Sequence, residues 1–164
     1  MTSDDGGDSA QDLLRHTLAT LAYRGGKALR GAPASFAEFR IAEGTRTPGA
    51  ILAHIGDLMD WALALAQGKN AWKDSQPLPW EREVDRFFEA VRRVDAYLAS
   101  GAELVCPPNV LFQGPIADAL THFGQIAMLR RLSGSPVKGE NYVKADIATG
   151  RVGSEQTTPN FEFD

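Results

Sequence analysis

The sequence predicts an all-α protein, a four-helix bundle with an irregular C-terminal arm, and three observations predict it. Four segments repeat apolar residues at three- and four-residue spacing. Residues that start and stop helices sit at their boundaries. No stretch carries the alternating pattern and tight turn of a hairpin. At 164 residues and 43% hydrophobic content the chain suits one domain, 1–164, large enough to bury a core.

The first helix is expected to follow Asp8 or Ser9 as N-cap, leaving residues 1–8 flexible. It runs to about Leu29, with Leu14, Leu18, Leu21 and Ala22 on one stripe. Gly25 and Gly26 leave room for a kink or an early end. The second starts at Thr47 as N-cap with Pro48 in the first helical position, and Gly68 stops it. Its apolar face is Ile51, Ile55, Leu58, Met59, Ala62 and Leu65. The third runs from Pro79–Trp80–Glu81 to about Ser100, periodic in Val84, Phe87, Phe88, Val91, Val94 and Leu98, with Gly101 as its C-terminal cap. The fourth is expected from Gly114–Pro115 to Leu132, ended by Ser133–Gly134 and Pro136.

The connections differ in length. Arg30 to Arg46 holds Phe36 and Phe39, expected to pack over an end of the bundle. Gly68 to Leu78 is long enough to cross the whole bundle at roughly 3.3 Å per residue, so helices two and three need not be antiparallel. Residues 134–164 show little periodicity. Tyr142, Val143, Ile147, Phe161 and Phe163 predict an arm wrapped on the domain.

Composition excludes some functions. A net charge of −4 leaves no basic stripe for nucleic acid, and Arg130–Arg131 are expected to complement a helix dipole. A single cysteine, Cys106, forms no intrachain disulfide and suits a reducing compartment. The acidic, glycine-rich start is unlike a signal peptide, and no apolar stretch is expected to reach the roughly 20 residues of a membrane span. The expected location is the cytoplasm, with no membrane partner.

Chemistry concentrates in the three histidines, His16, His54 and His122. His54 lies on the otherwise apolar face of helix two. Asp118 stands four residues before His122 on helix four, a spacing that sets both on one helix face with Cβ atoms about 5–6 Å apart. Two ligands from one helix and a third from another build a metal site inside a bundle. Two imidazoles and one carboxylate leave open positions on the ion, which permits reaction. The competing reading makes each histidine a hydrogen-bonded, partly buried side chain and Asp118 a first-turn dipole partner. Both histidines are expected in the first halves of their helices, where level matching is easier if those helices are parallel.

A family resemblance then bears on the choice. Asp118-Ala-Leu-Thr-His122-Phe-Gly124-Gln125 resembles the helix-four signature of the DinB-like superfamily, roughly His-x-x-x-His-x-Gly-Gln. Thr47-Pro-x-x-Ile-x-x-His54-Ile resembles its helix-two part. Asp118 stands where the superfamily often has histidine. The related mycothiol-dependent maleylpyruvate isomerases resemble this arrangement, with an acidic residue four before the histidine. The resemblance implies an up-down-down-up course and a divalent metal, zinc, nickel, iron or manganese, on His54, Asp118 and His122. It also implies a thiol S-transferase, as in bacillithiol transferases, that uses a low-molecular-weight thiol on a small-molecule substrate. Metal-assisted hydrolysis and a non-catalytic metal- or ligand-binding, stress-associated bundle are the alternatives.

Other residues have smaller roles in this reading. Gln125, one turn after His122, orients a ligand or packs the helix. Asp57, one turn after His54, either supports the ligands or is an exposed carboxylate. His16 faces the cavity or a bundle end, and Asn141 and Tyr142 are placed at the cavity mouth. Cys106 precedes Pro107–Pro108 with nothing near it to activate a thiol. Leu111-Phe-Gln-Gly-Pro115 resembles a viral 3C protease recognition site, by coincidence at this mid-chain position. Trp61, Trp72 and Trp80 are assigned to the core or to a homodimer surface.

Overall fold

A computed structural model describes residues 5–163. Among them the protein is mostly helical, with four long helical runs and one two-stranded pair. α1 spans Asp5–Leu29, α2 Pro48–Ala66 and α3 Trp80–Ala99. The last run joins α4 (Pro108–Leu111) and α5 (Ala117–Leu132) through a π-helical turn, Phe112–Ile116.

α1 begins ahead of the expected cap: Asp8 and Ser9 lie inside the helix, and only residues 1–4 of the expected flexible start are outside the described part. Gly25 and Gly26 neither kink nor end it. A Cβ at Gly25 would stand 2.6 Å from Phe123 Cζ, so the missing side chain is what lets the Phe123 ring of α5 rest on α1. α2 starts as expected, with Thr47 Oγ1 accepting from Ala50 N at 3.2 Å, and Gly68 follows its end at φ 78°.

The fourth run departs most from expectation. It begins at Pro108, not at Gly114–Pro115. Pro115 brings no N–H and pushes the residue before it out of the helical region, so Gly114 sits at φ −85°, ψ −107°. The chain absorbs that break in one wide turn and continues. His122 therefore lies near the middle of a long helical run.

The predicted stripes make most of the core: Leu18, Leu21, Ile55, Met59, Phe87, Val91 and Ile126 are all fully buried, joined by Leu52, which the α2 stripe did not include. α2 packs against α3 and α5, and α1 against the same two. Across α2 and α3, Arg86 meets Ala53 O and Asp57, Arg93 meets Asp60, and Tyr97 Oη meets Ala66 O. Phe36, in a 3₁₀ turn over Ala34–Glu38, packs edge-on against Trp80 and covers one end of the bundle. α2 is also long and apolar enough to cross a membrane by length and composition, against the expectation above. Most of it is buried inside the bundle, which is where that apolar character is used.

The arm packs on the domain through polar contacts more than through the apolar residues expected to hold it, since Val143, Phe161 and Phe163 are exposed. It contains a short antiparallel pair that the sequence did not predict, β1 (Gly139–Glu140) against β2 (Glu162–Phe163), with Gly139 opposite Phe163. Buried Glu140 accepts from Tyr23 Oη at 2.7 Å and Lys27 Nζ at 2.8 Å, and Lys27 also reaches Glu162 at 2.8 Å. Burial and the Glu140 carboxylate both push the Tyr23 phenol up, so it stays a donor. Arg130 does more than complement its own helix: its guanidinium donates to Ala28 O and Arg30 O at 2.8 and 3.1 Å, satisfying carbonyls at the end of α1.

Candidate metal centre

The site is assembled from two helices. The Thr47–Pro48 start fixes where α2 begins, which sets His54 two turns in, on the side toward α5. In α5 the i, i+4 spacing stacks Asp118 and His122 on one face. His54 Nε2 lies 3.7 Å from Asp118 Oδ2, and His122 Nε2 lies 3.4 Å from Asp118 Oδ1. The two imidazoles meet edge to face with centroids 4.7 Å apart. One ligand atom from each residue falls within 4.8 Å of the others, so the three predicted ligands are together.

The donor set fits a metal ion. Bonds of about 2.0–2.2 Å to one ion would hold their ligand atoms roughly 3.0–3.5 Å apart, so side chains whose ligand atoms lie within 4.8 Å of one another would have to draw in slightly around it. His122 Nδ1 sits 2.9 Å from Gln125 Oε1, so a proton on Nδ1 would leave the Nε2 lone pair free on the side of Asp118 and His54. His54 is held below the ordinary histidine pKa, first by burial, then by the neighbouring His122 and the charge of Arg46, with Asp118 pulling the other way. A depressed pKa keeps the imidazole neutral, which is the form that binds a metal.

Solvent reaches the cluster from two sides. Asp118 lines an open groove of about 360 Å³ with Trp61, Gln113, Gly114 and Thr121. His54 lines a smaller cleft of about 170 Å³ with Arg46, Ala50, Asp74 and Gln76. Trp72 leans its ring on His54 at 5.5 Å and on Trp61 at 5.7 Å, while Trp61 Nε1 donates to Asn70 at 2.9 Å. The linker after α2 is thereby folded back over the site.

Four expected contributors lie elsewhere. Asp57 turns away from the ligands and accepts from Ser75 N at 2.8 Å, Ser75 Oγ at 2.7 Å and the Arg86 guanidinium. It is neither a ligand support nor exposed: it is buried and anchors the linker to α2 and α3. His16 is exposed on α1, with Nδ1 3.3 Å from Thr149 Oγ1 of the arm. Tyr142 packs on α1, edge-on to Tyr23 and under Arg24 at 4.0 Å, and Asn141 Oδ1 accepts from Val143 N. Both sit where the arm meets α1, because the buried Glu140 clasp draws this segment there. Cys106 has its thiol pKa pushed up by burial, in line with the expected lack of a nucleophilic role.

Sequence reasoning missed Trp72 and Arg46. Trp72 lies in a linker without periodicity, so no pattern places it. Arg46 had a usable signal, since the residue before an N-cap flanks the first turn of the helix. The Leu111-Phe-Gln-Gly-Pro115 stretch forms the end of α4 and most of the π-helical turn, and its Gln113 and Gly114 line the groove beside Asp118. No family model, curated protein or solved structure matches the chain.

Proposed function

We propose that the protein is a metal-dependent enzyme of the DinB-like type, with a divalent metal on His54, Asp118 and His122. The observation that carries this is the convergence of three ligand atoms within 4.8 Å, drawn from α2 and α5, beside two solvent-open hollows. The accompanying course of the helices is up-down-down-up. It is supported by rising pairs across α2 and α3 (53 with 86, 60 with 93, 66 with 97) and by falling ones across α2 and α5, where His54 meets His122 and Trp61 lines a groove with Gln113.

The chemistry we favour is thiol S-transfer. Two imidazoles and a carboxylate leave positions open for a thiol sulfur, and coordination lowers the thiol pKa without a separate base. The protein's own groups orient the site: Gln125 holds the His122 ring from one side, and Trp72 shields one side of His54. Metal-assisted hydrolysis ranks lower, because the buried carboxylate nearest along α2, Asp57, is committed to Arg86 and Ser75. The ion is zinc, nickel, iron or manganese.

Elemental mass spectrometry of protein purified without chelators tests the centre. Near-stoichiometric metal that His54→Ala and His122→Ala both abolish is the expected result. No uptake, even after zinc, nickel, iron and manganese are offered, overturns it. With metal in place, consumption of an alkylating electrophile that quickens with added thiol supports transfer, and indifference to thiol supports hydrolysis.

A further inference from the structure

The small cleft beside His54 has a charge pattern of its own. Several arginines here are committed: Arg15 to Asp95, Arg86 to Asp57 and Glu83, Arg93 to Asp60, Arg130 to backbone carbonyls, Arg151 to Asp146. Arg46 is exposed, lines the cleft with His54, and has no ion pair among the described residues. It stands just before the N-cap of α2, whose first turn carries no acidic residue, so the positive end of that helix adds to its field. Asp57 at the same cleft is buried and paired with Arg86, which it shares with Glu83 and Asp60. Asp74, exposed at the rim, is the opposing charge. At about 170 Å³ the hollow is smaller than the roughly 300–1,000 Å³ of a whole-ligand pocket, and it suits one end group of a small molecule.

We propose that this cleft seats the carboxylate of an anionic small molecule, held by Arg46, with the reactive end of that molecule at His54. The identity of the reactive end rests on the metal centre proposed above. The anion seat does not, and it can be read in metal-free protein.

The probes are iodoacetate and iodoacetamide, nearly equal in size and different in charge. Each alkylates an imidazole nitrogen: an N–C bond forms, the C–I bond breaks, iodide leaves with the electron pair and a proton goes to solvent. Modification is mapped by peptide mass spectrometry, with exposed His16 as internal reference. The iodoacetate-to-iodoacetamide rate ratio at His54 is expected to exceed that at His16 at least tenfold. Arg46→Gln should bring it down to the His16 value, and Asp74→Asn should raise it. Equal ratios at the two histidines, a ratio unmoved by Arg46→Gln, or a His54 modified by neither reagent overturns the proposal. Added zinc separates the two readings in the same sample. Protection of His54 without an iodoacetate preference keeps the metal centre and removes the anion seat; preference without protection does the reverse.

Discussion

α2 carries two polar clusters on different sides, and they follow opposite rules. Toward α3, Asp57, Glu83 and Arg86 form a buried knot in which two carboxylates share one guanidinium and backbone and hydroxyl donors fill the rest: Glu83 accepts from Leu78 N and Arg86 at 2.8 and 2.9 Å, and Asp57 from Ser75 and Arg86. Toward α5, Asp118 faces two histidine nitrogens at 3.4 and 3.7 Å, too far for good hydrogen bonds, and is half exposed. A structural cluster saturates itself, because an unpaired buried charge is costly. The α5 cluster leaves donor capacity unused and open to solvent, which is the property a ligand site needs.

The largest effect that would break the contrast is expected at Arg86. Arg86→Met leaves Asp57 and Glu83 buried without their cation and should cost about 3–5 kcal/mol of stability. Urea unfolding measures it; a loss below about 1 kcal/mol would mean the knot is not structural. His122→Ala should do the reverse, abolishing metal uptake while changing stability by no more than about 1 kcal/mol. Metal content and unfolding on the same sample check both halves.

A subtler change sharpens the comparison. Gln125→Ala removes the side-chain partner of His122 Nδ1 and should weaken metal binding roughly 10–100-fold with little change in stability. Competition against a chromogenic chelator reads it. Uptake equal to that of the unaltered protein would make Gln125 a packing residue.

The smallest expected effect is local and depends on pH. Burial opposes the charge on Lys27, but Glu140 and Glu162 outweigh it and raise its pKa above the ordinary 10.5. Lys27 in turn lowers Glu162 below its ordinary 4.5. The Glu162 contribution is present above 4.5 and lost as pH falls through the lower folded value. The Lys27 contribution is present below 10.5 and lost as pH rises through the higher one. The arm is therefore expected to stay clasped between those limits and loosen beyond either. Amide exchange over 139–163 as a function of pH checks this; protection that stays flat as the solution is acidified through the Glu162 range would contradict it.

Much of this was legible in the chain. Thr47–Pro48, the apolar stripes and Gly68 located α2 and α3 because capping and periodicity are local properties. Of the cluster His54, Asp118 and His122, the last two were readable as neighbours because i, i+4 spacing on a helix is itself geometry; His54 comes from another helix, and only the fold brings it to them. Gly25 misled: sequence reads a glycine as a helix breaker, whereas here it makes room for Phe123 across the bundle.

Asp57 and Tyr142 show where local reading ends. Each was itself given a role near the site, yet Asp57 is turned by Arg86 and Ser75, and Tyr142 follows Glu140 onto α1. The sequence by itself determined which segments are helical, which faces are apolar and which side chains share a helix face, since each depends on neighbours within a turn. Only the tertiary structure decided which helices meet, how the linker covers His54 and where the arm is clasped. Those outcomes rest on pairing buried charges far apart in the chain, and no local pattern encodes a partner.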